Sequence, residues 1–518
     1  MPRAPAEPTA PLPAVPPPAV SPAVPPSTET MVVTAVSVQG STVYTPAELA
    51  PFHEDLLARA VSLEEIRRVA DRITEKYRAD GYFLSQAFVP PQGARLGVLR
   101  IQVVEGYFDD IAFTGVEAPE GVVSTLAADL VGDRPAQLSE LERSLLLMGD
   151  TYGYQVRDVA VETIDREAGR YRLKVDLGHD RTLHSVILDN RGTEESGPLQ
   201  LWASAGVNDV LLSDSRLQAG VFTVPNQPQE LKYGELQGSK ILGAGGTAAT
   251  LLVSTSTSDS GGDDAAFGIE SGSGRMSARL SHPFLRSRDL SLWVSGTVDV
   301  AEYDKEAAGT PIYDDELRVG RLGANLYGAD RFEGTNRLSV ELSHGFDAFG
   351  ASSVGDQRSR YGASAEFTKL RVDASRDQAL GGNFWLEGKV AGQVSADELL
   401  SSEEFSLGGS YIGRAYDYSE LTGEHGVGGS LELRYGRDLD GPVLNGFQAY
   451  GFYDFGTVWN LGQFEENRAT LSSAGVGVRL VLDRQLRLNV EYARGLTRAV
   501  NDDGDKVQRV FFKLSQGF

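Results

Sequence analysis

From Arg181 to the end of the chain, apolar and polar residues alternate with a period of two. Leu290, Leu292, Val294, Val298 and Val300 alternate with Ser291, Trp293, Ser295, Thr297 and Asp299, and Leu486, Leu488, Val490 and Tyr492 with Gln485, Arg487, Asn489 and Glu491. Successive side chains of a strand point to opposite faces. Each such strand therefore has one apolar and one polar face, and needs oil on one side and water on the other. A soluble sandwich meets that need with its own core, and a membrane barrel meets it with lipid.

Composition narrows the partners rather than the fold. The 72 acidic and 48 basic residues give a formal charge of −24, which argues against nucleic acid as a partner, since a phosphate binder needs a basic face. The absence of cysteine fits an oxidising compartment. No apolar run approaches the ~20 residues of a membrane helix, but a transmembrane barrel lacks such runs too.

Three observations favour the barrel. Val510, Phe512 and Leu514 alternate toward a terminal Phe518; Phe512 and Phe518 resemble the aromatic signal by which the barrel-assembly machinery recognises outer-membrane barrels. Short and long connections alternate along the last strands, as periplasmic turns and outer loops do. Residues 181–518 divided among 16 strands leave roughly 21 per strand and connection, enough for strands of ~9–11 residues. The expected fold is a transmembrane antiparallel β-barrel of 16 strands, embedded in outer-membrane lipid. Ser254–Gly274, rich in Ser, Gly and Asp, reads as a loop or turn.

The first 180 residues read differently. Residues 1–30 read as a Pro/Ala-rich linker with no basic head followed by an apolar stretch, so this segment does not read as a signal peptide and the chain is expected to be mature or truncated at its start. Residues 31–106 and 107–180 repeat one order: strand, short helix, longer helix, two strands. In the first copy Val32–Gly40 is a strand, and Ser62-Leu63-Glu64-Glu65 is a capping box opening a helix. The face of that helix carries Leu63, Ile66, Ala70, Ile73 and Tyr77. Phe83–Val89 is a candidate edge strand, with Phe83, Leu84 and Phe88 as a surface to which an extended chain could add.

A long loop around residues 408–426 carries Gly413-Arg414-Ala415-Tyr416 shortly after Gly408-Gly409, and a later strand carries Phe452-Tyr453-Asp454-Phe455-Gly456. Asp454 shares parity with Gln448 and Tyr450, the more polar face, which puts it toward the lumen. A loop arginine and a wall aspartate suggest a strut. Together these segments resemble the POTRA-barrel transporters of Gram-negative outer membranes, in which an Arg-Gly-Tyr/Phe loop tip plugs the barrel and meets the Asp of an F-x-D-x-G strand; Ala415 stands where that motif usually has Gly. Leu188-Asp189-Asn190-Arg191-Gly192, Ser281-His282-Pro283-Phe284-Leu285, and Gln393, Leu399-Leu400 and Glu404-Phe405 before Gly-Gly resemble the two-partner secretion (TpsB-type) branch. The resemblance implies two POTRA domains, at 31–106 and 107–180, in the periplasm. It also implies an outer-membrane barrel at 181–518 with an inward-folded loop, and export of one large TpsA-type exoprotein. Gly413, Arg414, Ala415 and Tyr416 would form the plug tip, and Phe452, Asp454 and Gly456 its wall partner.

The chemistry of the chain offers little to an enzyme. There is no G-x-S-x-G elbow and no phosphate-cradling loop before a helix. Six scattered histidines make Glu424-His425 a poor start for a metal site, so no metal and no cofactor are expected. The alternatives are a barrel-assembly factor, which usually carries more POTRA units, and a passive porin, which needs none.

Overall fold

The structure, a computed structural model, describes residues 30–92, 97–353, 355–439, 441–461, 468–482, 486–499 and 508–517, without the side chain of Asp263. The chain divides into two compact units, Met1–Asp180 and Arg181–Phe518.

The first unit holds two small α/β layers. In the first layer, β1 (Thr30–Val32), β2 (Ala35–Gln39) and α1 (Pro46–Leu49) are followed by β3 (Ala60–Ser62), α2 (Leu63–Ala79), β4 (Gln86–Phe88) and β5 (Val98–Val104). The sheet order is β2-β5-β4, with β2 parallel and β4 antiparallel to β5. The expected strand at Val32–Gly40 is broken: β1 leaves the sheet and pairs instead with β3. At the start of α2, Ser62 Oγ accepts from Glu65 N and the Glu65 carboxylate accepts from Ser62 N, satisfying two otherwise orphaned donors. Ile66, Val69, Ala70, Ile73 and Tyr77 pack against Leu99, Ile101 and Val103, each large side chain contributing about 1.5–3 kcal/mol by burial. The face is turned slightly from the expected one: Val69 is buried and Leu63 only half-buried.

The second layer repeats the order with β6 (Tyr107–Gly115), α3 (Gly121–Gly132), α4 (Leu138–Asp150), β7 (Tyr154–Asp165) and β8 (Arg170–His179), in sheet order β6-β8-β7. The stretch expected as the strand Phe83–Val89 needs correction. Only Gln86–Phe88 is strand, at the sheet edge. Phe83 and Leu84 lie in the preceding turn and are buried, Phe83 tilted against Phe108 of the second layer and Ser85 Oγ accepting from Gly106 N. Their apolar surface joins the two layers, so neither is free to receive a chain; half-buried Phe88 remains on the edge.

The second unit is a closed barrel of sixteen antiparallel strands. They are β9 (Thr182–Asp189), β10 (Gln200–Asn208), β11 (Ser215–Thr223), β12 (Lys232–Ile241), β13 (Ala248–Asp259), β14 (Ile269–Arg286), β15 (Leu290–Ala307), β16 (Thr310–Ala329), β17 (Gly334–Gly345), β18 (Phe367–Gly381) and β19 (Phe384–Ser395), then β22 (His425–Asp438), β23 (Gly446–Trp459), β24 (Ala469–Val481), β25 (Leu486–Gly495) and β26 (Gln508–Gly517). The short hairpin β20 (Phe405–Leu407) and β21 (Leu421–Gly423) lies in the loop between β19 and β22. Closure comes from β26 pairing with β9, Lys513 opposite Asp189 through Gly517 opposite Ser185. Asn190 extends this seam: its side chain accepts from Phe512 N at 2.7 Å and donates to Val510 O at 3.0 Å.

Alternation in the sequence becomes inside and outside in the wall. Val298 is 62% exposed on the outer face while Asp299 is 2% exposed on the inner one, held by Arg275 and Arg321. Several strands exceed the expected length, β14 and β15 at 18 residues and β16 at 20. The Ser/Gly-rich segment read as a loop is mostly strand: Ser254 pairs with Arg275, Ser256 with Ser273 and Ser258 with Ser271, and only residues 260–268 connect β13 to β14. Backbone pairing with long neighbours outweighs the low strand preference of Gly and Ser. Phe512 lies on β26; Phe518 lies outside the described residues.

Candidate functional site

Residues 396–424 leave the rim between β19 and β22 and fold back into the barrel. Phe405, Leu407, Ile412, Ala415, Tyr416 and Leu421 of this loop form one apolar cluster with Ala391, Tyr450, Phe452, Val458, Leu471, Ala493 and Phe511 of the wall. The backbone is tightly turned. Gly408 has φ +114°, and a Cβ there would stand 2.0 Å from Asp417 O. Gly413 has φ +88°, and the tip closes with Tyr416 N donating to Gly413 O at 2.9 Å. The left-handed residue of the tip is Gly413, which is why a Cβ is tolerated two residues on at fully buried Ala415.

The wall motif has a physical reading residue by residue. Asp454 is fully buried on β23. Its Oδ2 accepts from Gly413 N (3.1 Å), Arg414 N (3.0 Å), Arg414 Nε (3.1 Å) and Ser473 Oγ (3.2 Å), and its Oδ1 from Arg414 Nη2 (2.9 Å). Phe452 lies under the guanidinium, ring centre to Cζ 3.4 Å, a stacking arrangement suited to arginine. Gly456 makes room: a Cβ there would meet Leu407 Cδ1 at 2.5 Å. Tyr416 is buried and donates from its hydroxyl to Ser472 O at 3.1 Å. The structure thus brings Gly413, Arg414, Ala415, Tyr416, Phe452, Asp454 and Gly456 into one place.

Several partners escaped the sequence reading. Arg414 Nη1 donates to Glu432 Oε2 at 2.6 Å and Nη2 to Ser430 Oγ at 3.0 Å, both on β22. The other oxygen of Glu432 accepts from Arg434 and Arg479. Glu491 of β25 lies 3.7 Å from Arg414 Nη1 and accepts from Arg191 Nη2 at 2.5 Å, while Arg191 Nη1 donates to Arg414 O at 3.3 Å. Asp417 pairs with Arg509 on β26. Parity alone marks Ser430, Glu432 and Glu491 as lumen-facing; which of them meet across strands depends on register.

Glu424 is also fully committed. Its carboxylate pairs with Arg360 and accepts from Leu461 N at 2.9 Å, and His425 Nδ1 accepts from Ser395 N at 3.2 Å. Among the described residues no group of three or more His, Cys, Asp or Glu is arranged to hold a metal. The arrangement is a loop tip, charged and desolvated, docked on a matching wall.

Residues 172–480 match the family model of the haemolysin secretion/activation proteins ShlB/FhaC/HecB, and residues 31–106 that of the ShlB-type POTRA domain. Among curated proteins the chain is similar to the heme/hemopexin transporter protein HuxB of Haemophilus influenzae (strain 86-028NP), 21% identical over 471 residues, covering 89% of this chain and 82% of that one. It is also similar to the outer membrane transporter CdiB of Escherichia coli, 24% identical over 402 residues, covering 76% and 67%. The solved structure of CdiB from Escherichia coli matches with a TM-score of 0.77 at 21% identity, covering 96% of this chain and 93% of that one, a likeness of fold.

Proposed function

The chain belongs to the haemolysin secretion/activation protein family, and on that premise we propose how its loop serves the transport. As a member it is an outer-membrane two-partner secretion transporter, with periplasmic POTRA domains, that exports a partner exoprotein. The loop carrying Arg414 is the gate of that transporter. At rest the tip fills the lumen and is retained by Asp454 and Glu432; in transport it leaves its bed and the unfolded partner passes. The observation that carries this reading is the buried Arg414–Asp454 pair, in which loop backbone and loop side chain converge on one wall carboxylate.

The periplasmic domains, 31–106 and 107–180, capture the partner before it enters, by strand addition along the edge that includes Phe88, where backbone hydrogen bonds require no particular sequence. The outward apolar faces of the strands sit in outer-membrane lipid, and Phe512 and Phe518 belong to the C-terminal signal read by the barrel-assembly machinery. The test is export of the partner exoprotein by the wild type and by Arg414→Ala, with insertion of both barrels verified by heat-modifiable migration. An altered rate of export by an inserted mutant supports the gate. Equal export by both removes it while leaving secretion intact, and depletion of other barrels would mark an assembly factor instead.

A further inference from the structure

Apart from Arg414 and the adjoining Asp417–Arg509 pair at the tip, the loop is held on its other arm by a carboxylate. Ahead of the tip, the 3-10 turn Ser401–Glu403 carries Glu403, whose side chain is 7% exposed. Arg321 of β16 grips its carboxylate with two donors, Nη2 to Oε1 at 2.6 Å and Nη1 to Oε2 at 3.2 Å. Lys369 of β18 reaches Oε2 at 2.7 Å and also donates to Glu403 O at 2.6 Å. Gln393 of β19 adds a donor to that same carbonyl at 3.1 Å. Arg321 is itself seated by Asp299 and Ser343 on the neighbouring strands. Leu399 and Leu400, just before the turn, are fully buried against Leu317, Val319 and Phe367.

This anchor shares no residue with the one at Arg414. The tip places a cation on wall carboxylates of β22, β23 and β25, while the ascending arm places a carboxylate on wall cations of β16 and β18. The loop is rooted between β19 and β22, so the anchors lie on opposite flanks of its root. A loop fastened at one point swings about its root when that point is released. One fastened on both flanks does not.

We propose that Glu403, with Arg321 and Lys369, is a second latch that keeps the loop in the lumen when the Arg414 contacts open, so that a passing chain must detach both. Glu403 is a positioning residue for the gate, and the proposal rests on the reading of this loop as the gate. Because the anchors have no residue in common, their retention free energies add, and the factors by which each loss raises the open-to-closed ratio multiply. Removing one leaves the lumen filled by the other. Glu403→Gln keeps the shape of the side chain, Arg321 retains Asp299, and Lys369 retains the Glu403 carbonyl.

The experiment is single-channel conductance of the full-length protein in planar bilayers. It compares wild type, Arg414→Ala, Glu403→Gln and the double variant, each verified as a folded barrel by heat-modifiable migration. The singles are expected to open rarely, and the double to show an open fraction at least roughly tenfold above the sum of the singles. If Arg414→Ala alone, or Glu403→Gln alone, already opens as much as the double, the second latch is refuted although the loop still gates. If the double stays as closed as wild type, the gate reading falls and the latch with it.

Discussion

Replacing Asp454 with Asn changes one oxygen to an amide NH2 and removes one charge without altering shape. The retained oxygen, turned to the Oδ2 position, still accepts from Gly413 N, Arg414 N, Arg414 Nε and Ser473 Oγ. The new amide NH2 then faces Arg414 Nη2, donor against donor, where 2.9 Å separated donor and acceptor before. Arg414 keeps Glu432, so its charge is not left bare. The loss is therefore about one charge-assisted hydrogen bond, ~2–3 kcal/mol, below the ~3–5 kcal/mol of stripping a buried charge of its partner. At 1.4 kcal/mol per factor of ten, the docked-to-undocked ratio falls roughly 30- to 140-fold. The chain has no cysteine, so a single Ile412→Cys reports docking cleanly: Ile412 is 4% exposed beneath the tip, and a thiol there reacts with maleimide only when the loop lifts. Labelling in the Asp454→Asn background should accelerate by that factor, and by more in Asp454→Ala. An unchanged rate in both would show that the carboxylate does not hold the loop.

Gly456→Val sets a Cβ 2.5 Å from Leu407 Cδ1; it should dislodge the β20–β21 hairpin and raise bilayer conductance while the barrel still folds. Asn190→Ala removes two hydrogen bonds from the β9–β26 seam and should cost about 1–3 kcal/mol, read as a lower temperature for loss of the compact electrophoretic form. In the first periplasmic domain, burial raises the Glu105 carboxyl, but donors from Thr42, Val43 N and Tyr77 outweigh it and hold its pKa below the usual value. A depressed carboxylate contributes stability above its unfolded pKa of about 4.3 that is lost as pH falls through the folded one. The protection factors of the α2 amides, with the intrinsic exchange rate at each pH divided out, should therefore fall in acid, and Glu105→Gln should flatten that dependence.

The wall was legible because a barrel strand writes its two environments in alternate residues, and a clear case such as Val298 against Asp299 needs no knowledge of neighbours. The Arg414–Asp454 pair was legible because a short motif marks both ends. Glu432, Glu491 and Arg191 were not: parity shows which face they occupy, but their meeting depends on cross-strand register and closure. Glu403 was hidden differently, since nothing in a loop sequence shows which wall the loop will lean on. Phe83 and Leu84 misled because an apolar pair beside a strand looks like its continuation, whereas here it fills a joint. The Ser/Gly run at 254–274 misled because strand preference is local and pairing is not.

That the loop must leave the lumen during export is tested most directly by fastening it. Ile412 Cγ2 lies 3.1 Å from the Cβ position of Gly428 on β22, close to the spacing between a sulfur and the far Cβ of a disulfide, roughly 3 Å for an S–S bond of about 2.05 Å. In an otherwise cysteine-free chain, Ile412→Cys with Gly428→Cys should cross-link the tip to the wall, and export of the partner exoprotein should stop under oxidising conditions and resume on reduction. Undiminished export through a fully cross-linked barrel would contradict the account.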